Sequence, residues 1–232
     1  MKHILYLFPL MIFTIQTVDA QKVKSSDVEY NRQQSVYLNA MAWNDWEVAT
    51  QAVYQIISLK PDEAAWKDTL CMLYFSRGYY IQSLIIAEEL LKSKPQHVEI
   101  LEIAAMSYDR IGALKESLEK YQLLVQQQST LFRLYQIMQI EYRLKRLGEC
   151  LITAEKILAH SDVSKETVRI NLNEQQYQNV PISAATYNVL GMVSLDLNQK
   201  EQAIRNFEQS LQIYPDFVLP QNNLSALQSE KK

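Results

Sequence analysis

Glycine and proline are scarce, at four and six residues in a chain of 232. A collagen-like or low-complexity chain is thereby excluded, and a many-stranded sheet, which spends these residues on its turns, is disfavoured. Histidine is also rare. Beyond His3, near the N-terminus, only His97 and His160 occur, and neither stands at a metal-ligand spacing. There is no phosphate-cradling glycine loop, no strand-to-helix nucleophile motif and no Cys-x-x-Cys pair. A net charge of -3 carries no basic clustering of the kind that nucleic acid requires. These gaps argue against a cofactor, a metal centre and a nucleic-acid partner.

What is present is an apolar content of 48%, laid out with helical periodicity. Asp62 to Pro95 and Gln96 to Ser129 align at a period of 34, which matches Tyr74 with Tyr108, Gly78 with Gly112, Ser83 with Ser117 and Leu84 with Leu118. A further step of 34 from Tyr108 reaches Tyr142. A fixed period of this length signals stacked helical pairs, because one pair cannot bury its own apolar face. Gly78 and Gly112 fall where the two helices of a pair join, and a left-handed helix end is expected there.

From Ala184 to Pro215 the residues Tyr187, Leu190, Gly191, Ala203, Phe207 and Pro215 stand at the spacings of the tetratricopeptide repeat (TPR), which the chain resembles. Leu101, Ala104, Ala105, Tyr108, Gly112, Ser117 and Tyr121 repeat much of that pattern. The resemblance implies an all-α, right-handed TPR solenoid of about five helix-turn-helix repeats. Four are placed at residues 27–61, 62–95, 96–129 and 130–160, and the fifth lies within 184–232 with a C-terminal capping helix over Asp216 to Gln228. The first is expected to start at a capping box, Ser26-Asp27-Val28-Glu29. The fourth is the poorest match: Gln139 stands at the small position, and Gly148 comes late in the turn. Trp43, Trp46 and Trp66 are expected in the core.

The period breaks at 161–183. Val168, Ile170 and Leu172 alternate with polar residues, Asn173 to Gln176 can turn, and Val180-Pro181-Ile182 follows, so this insertion is expected to be a small β-hairpin or an elongated loop. A hairpin there would offer an exposed docking edge.

Residues 1–20 read as a signal peptide. Lys2 and His3 precede an apolar run from Ile4 to Ile15, and Val18-Asp19-Ala20 suits cleavage after Ala20. The run is interrupted by Pro9 and is too short to span a bilayer, and no later stretch could do so. The mature protein is expected to be exported and periplasmic. Cys71 and Cys150 fall in helices several layers apart, too far for a disulfide, and are expected as buried free thiols.

In TPR proteins the first helices line a concave groove, and the residue after the small position points into it. Here those residues are Met72, Met106 and Met192, with Ile140 in the weak repeat; Asp68, Glu102, Asp109 and Asn188 complete the expected partner-binding surface. Such an acidic and apolar groove should repel a peptide carboxylate while accepting an apolar protein segment. The function expected is a non-catalytic protein-protein interaction adaptor; the alternative is a structural subunit of an envelope assembly or secretion complex. An enzyme using Asp68 and Glu102 as paired carboxylates is the least favoured reading. Asn223-Leu224-Ser225 matches a glycosylation sequon, which is treated as chance.

Overall fold

The computed structural model describes residues 13–229, with side chains from 25 onward. The leader expected at 1–20 lies for the most part outside the described residues. The chain divides into two compact units, one ending at Ser93 and the other starting at Lys94.

The first unit contains α1 (Phe13–Ala42), α2 (Trp46–Leu59), α3 (Ala64–Ser76) and α4 (Tyr80–Ser93). Its α1 is already helical before Ser26, so Ser26 to Glu29 do not start a helix as the capping box suggested. Glu29 instead accepts from Arg32 and Gln33, and Asp27 pairs with Lys60 at 3.0 Å. Val53, Leu70 and Leu73 form the core, with Trp46 and Trp66 packed against it. Trp66 meets Tyr37 edge-on at 5.5 Å and donates to the Tyr30 hydroxyl at 3.1 Å. Trp43 is not part of this core. It lies in the turn after α1 and is 77% exposed.

The second unit runs through α5 (Val98–Arg110), α6 (Leu114–Gln127), α7 (Leu131–Arg143), α8 (Leu147–Leu158), β1 (Thr167–Asn171), β2 (Tyr177–Pro181), α9 (Ile182–Asp196), α10 (Lys200–Ile213) and α11 (Val218–Ser229). Its core draws Tyr135, Met138, Cys150, Ala154, Val168, Val180, Val189 and Phe217 into one cluster, so the hairpin contributes to it directly. β1 and β2 pair antiparallel, with Val168 opposite Val180. Pro181 ends β2 and caps α9, a place where its missing N–H costs nothing.

Each helical pair is joined by one left-handed residue: Asn44, Gly78, Gly112, Lys145 and Asn198, with φ between 57° and 81°. The next residue donates its N–H to a carbonyl five positions back, as Asp45 to Ala40, Tyr79 to Tyr74, Ala113 to Tyr108, Arg146 to Glu141 and Gln199 to Ser194. This is the Schellman arrangement that satisfies a helix's last carbonyls. It also fixes the register. Lys145 comes 33 residues after Gly112, so Glu141, not Tyr142, is the counterpart of Tyr108, and the small position of the fourth repeat is Met138, not Gln139. Gly148 lies inside α8 rather than in the turn.

A second recurring tie confirms this alignment. Ser83 Oγ donates to the Cys71 carbonyl at 2.9 Å, Ser117 Oγ to Ala105 at 2.8 Å and Cys150 Sγ to Met138 at 3.5 Å, each across twelve residues. The two cysteines are therefore buried packing residues, one in each unit, and both are free. Burial pushes the Cys150 thiol up to about 12, and the Cys71 thiol is raised for the same reason. Because the thiolate is the reactive form, an aromatic disulfide reagent at pH 8 is expected to label neither cysteine in the folded chain and both in denaturant. Fast labelling of Cys150 without unfolding would contradict its packing.

Candidate protein-interaction groove

The first helices α3, α5, α7 and α9 carry the expected surface. Met72 follows the small position of α3 and is 54% exposed, and Met106 stands equivalently on α5 and is half-buried. In the fourth repeat the one-residue shift removes Ile140 from this row: it is 1% exposed, inside the core, and the equivalent residue is Gln139, which donates to the Tyr135 hydroxyl. The last pair differs again. Asn188 is buried and accepts from Asn223 of α11 at 3.3 Å, while Met192 packs with Leu224 and Leu227 of the same helix. α11 thus lies over Asn188 and Met192, so these two residues hold the terminal helix instead of offering an open surface.

The charges also differ from expectation. Glu102 on α5 forms an ion pair with Arg133 of α7 at 3.5 Å, and Arg133, only 6% exposed, also donates to the Gln128 carbonyl at 3.0 Å. Asp109 on α5 is held by Arg143 of α7, and Lys145 after α7 reaches Asp196 at the end of α9 at 2.7 Å while lying over the Tyr142 ring. Glu102 and Asp109 of α5 are therefore bridged by cations from the next first helix, α7, and Asp196 of α9 by a cation from the turn after α7, so these acids are neutralised instead of free. The partly exposed Asp109–Arg143 and Asp196–Lys145 pairs contribute at most about 1 kcal/mol each, so a partner can displace them at low cost, whereas Arg133 is buried beside Glu102. Asp68 is half-buried in the first unit, and Glu102, already engaged by Arg133, lies in the second.

Each unit also has a cleft on the side of its second helices. In the first, Tyr54, Tyr74, Arg77 and Tyr79 line a cavity of about 330 Å³. The Tyr54 and Tyr74 hydroxyls share a hydrogen bond of 2.8 Å, and burial together with that bond pushes Tyr74 up to about 12. In the second, a cavity of about 300 Å³ between α6, α7 and α8 is lined by Gln122, Gln126, Thr153 and Lys156 around Glu141. Among the described residues no three His, Cys, Asp or Glu side chains gather as a metal site, and no helix is long and apolar enough to cross a membrane.

No family model and no curated protein matches the chain. Solved structures do. The crystal structure of YrrB, described as a TPR protein with an unusual peptide-binding site, superposes with a TM-score of 0.66 at 14% identity, covering 87% of this chain and 97% of that one. The crystal structure of MamA gives 0.64 at 10% identity, covering 80% and 91%. MamA 41-end from Desulfovibrio magneticus RS-1 gives 0.62 at 10%, covering 82% and 97%. At these identities the likeness is one of fold, and together with five left-handed turns and the recurring twelve-residue ties it establishes that this chain has the tetratricopeptide-repeat fold.

Proposed function

We propose that the chain is a non-catalytic protein-interaction adaptor that holds a segment of a partner protein on its first-helix faces, and that it works in the periplasm after loss of residues 1–20. The observation that carries the reading is that Met72 and Met106, equivalent residues each within its own unit, stay accessible on a first helix, whereas the equivalent Met192 is covered by α11. Unbranched thioether side chains adapt to varied apolar partners. The interhelix ion pairs neutralise Glu102 and Asp109, the acids one turn to either side of Met106 on α5. The described peptide-binding site of YrrB is consistent with such a use of this fold.

Photo-crosslinking tests the proposal. A photoreactive amino acid at position 72 or 106 is expected to trap a discrete protein partner in envelope extracts, whereas one at Glu119, exposed on α6, is expected to trap none. Equal trapping from all three positions would count against the groove. N-terminal sequencing of the chain recovered from the periplasmic fraction is expected to begin at Gln21, and an intact Met1 would remove the export reading.

A further inference from the structure

The hairpin that interrupts the repeats has one edge built for pairing. In an antiparallel ladder, directly opposed residues alternate between pairs that exchange both backbone hydrogen bonds and pairs that exchange none. Leu172 N–H donates to the Gln176 carbonyl at 2.9 Å and Ile182 N–H to the Glu166 carbonyl at 3.0 Å, which sets the phase of the ladder. With Val168 opposite Val180 and Ile170 opposite Gln178 in the bonded pairs, the backbone groups of Thr167, Arg169 and Asn171 point away from β2. All three residues are exposed. On the other edge the outward residues are Tyr177, Asn179 and Pro181, and Pro181 has no N–H to give. The β1 edge is therefore the more complete template.

This edge is also held in place, whereas an isolated hairpin is marginal in water. Val168 and Val180 are buried in the core. Gln178 clamps the turn before α11, donating to the Asp216 carbonyl at 2.6 Å and accepting from the Val218 N–H at 3.1 Å. Ordering has been completed in the free protein, which lowers the cost of adding a strand.

Charge selects the occupant. Arg169 is the only charged residue of β1; its guanidinium lies 3.7 Å above the Tyr177 ring, and among the described residues it has no carboxylate partner. A second copy of the chain pairing antiparallel through all three outward residues would place Arg169 directly opposite Arg169, and like charges so placed are destabilising. We propose that the free edge of β1 receives an extended segment of a partner protein, added as a third strand, with an acidic side chain opposite Arg169 and apolar side chains beside Val168 and Ile170. This docking mode is separate from the first-helix faces and does not rest on them.

The probe is a blocked heptapeptide, Val-Thr-Val-Glu-Val-Thr-Val, with its central-Lys counterpart, titrated against the full chain while amide exchange is followed residue by residue. The Glu peptide is expected to slow exchange at Thr167, Arg169 and Asn171 at least tenfold and to bind at least tenfold more tightly than the Lys peptide. Arg169→Glu is expected to invert that preference. Asn171→Pro removes one outward N–H without touching the ladder, so it is expected to abolish protection at an unchanged melting temperature. Protection at Tyr177 and Asn179 instead, equal binding of both peptides, or no binding of either overturns the proposal. So does concentration-dependent dimerisation that protects the β1 amides in the absence of peptide.

Discussion

Gly191→Ala is expected to lower the melting temperature of the second unit by roughly 10 °C, corresponding to about 3 kcal/mol, the upper end of the cost of overpacking a filled core. A Cβ at this position would stand 2.3, 2.5 and 2.7 Å from three ring carbons of Phe207, well inside van der Waals contact. Phe207 is fully buried and cannot swing into solvent, so relief requires α9 and α10 to separate. Gly191 and Ala203 occupy, twelve residues apart, the places that Ala105 and Ser117 occupy in the third repeat. In this pair an aromatic ring against a bare helix backbone replaces the serine tie. Two comparisons isolate the cause. Gly148→Ala, where an added Cβ meets nothing within 4 Å, is expected to raise stability by about 0.5–1 kcal/mol through helix propensity alone. Phe207→Leu placed in the Gly191→Ala background is expected to recover part of the loss, as residues in contact are not additive. A Gly191→Ala protein that melts with the wild type would mean that α9 and α10 do not pack as described.

The second large effect concerns Glu141. It is 4% exposed, at the position held by Tyr74 and Tyr108 in the preceding repeats, and its Oε2 atom is buried without a hydrogen-bond partner among the described residues. Burial is the main cause that pushes this carboxyl above its usual range, with Glu149 adding to the rise, while a bond from Thr153 and the charges of Arg146 and Lys156 oppose it. An acid whose folded pKa is raised favours the protonated folded state. Its contribution is therefore fully present below the ordinary value of 4.5 and is lost as pH rises through the elevated one. Glu141→Gln is expected to be more stable than wild type at pH 8 by about 1–3 kcal/mol, the cost of an unsatisfied buried polar group. The difference should shrink toward zero as pH approaches 4.5. Thermal melts of both proteins across that range check the sign, and a gap independent of pH would rule out the buried carboxylate as its source.

Much of this architecture was readable in the sequence because its determinants are local. Helical periodicity of apolar residues, glycine at a left-handed turn and small residues at close helix crossings recur along the chain whatever surrounds them. The fourth repeat was read one residue out of phase for an equally local reason: Tyr142 and Gly148 resemble the landmarks used elsewhere, while the turn is made by Lys145, a residue type seldom found at positive φ. The hairpin was visible as period-two alternation, but its bonded phase, and hence its open edge, was not. Two exchanges of register differ by a single backbone bond pattern that side-chain alternation does not report.

The candidate surface fared differently. Met72 is exposed as the repeat position implied, yet Trp43, large and apolar, stands in solvent, and Asn188 and Met192 are covered by α11. Glu102 and Asp109, read as free acids, are bridged from α7. By itself the sequence determined the repeating helical pair, its turns and the place where the period breaks, since each depends on a few neighbouring residues. The tertiary structure alone decided which side chains remain open to a partner, because exposure and charge neutralisation depend on which distant helix lies across them.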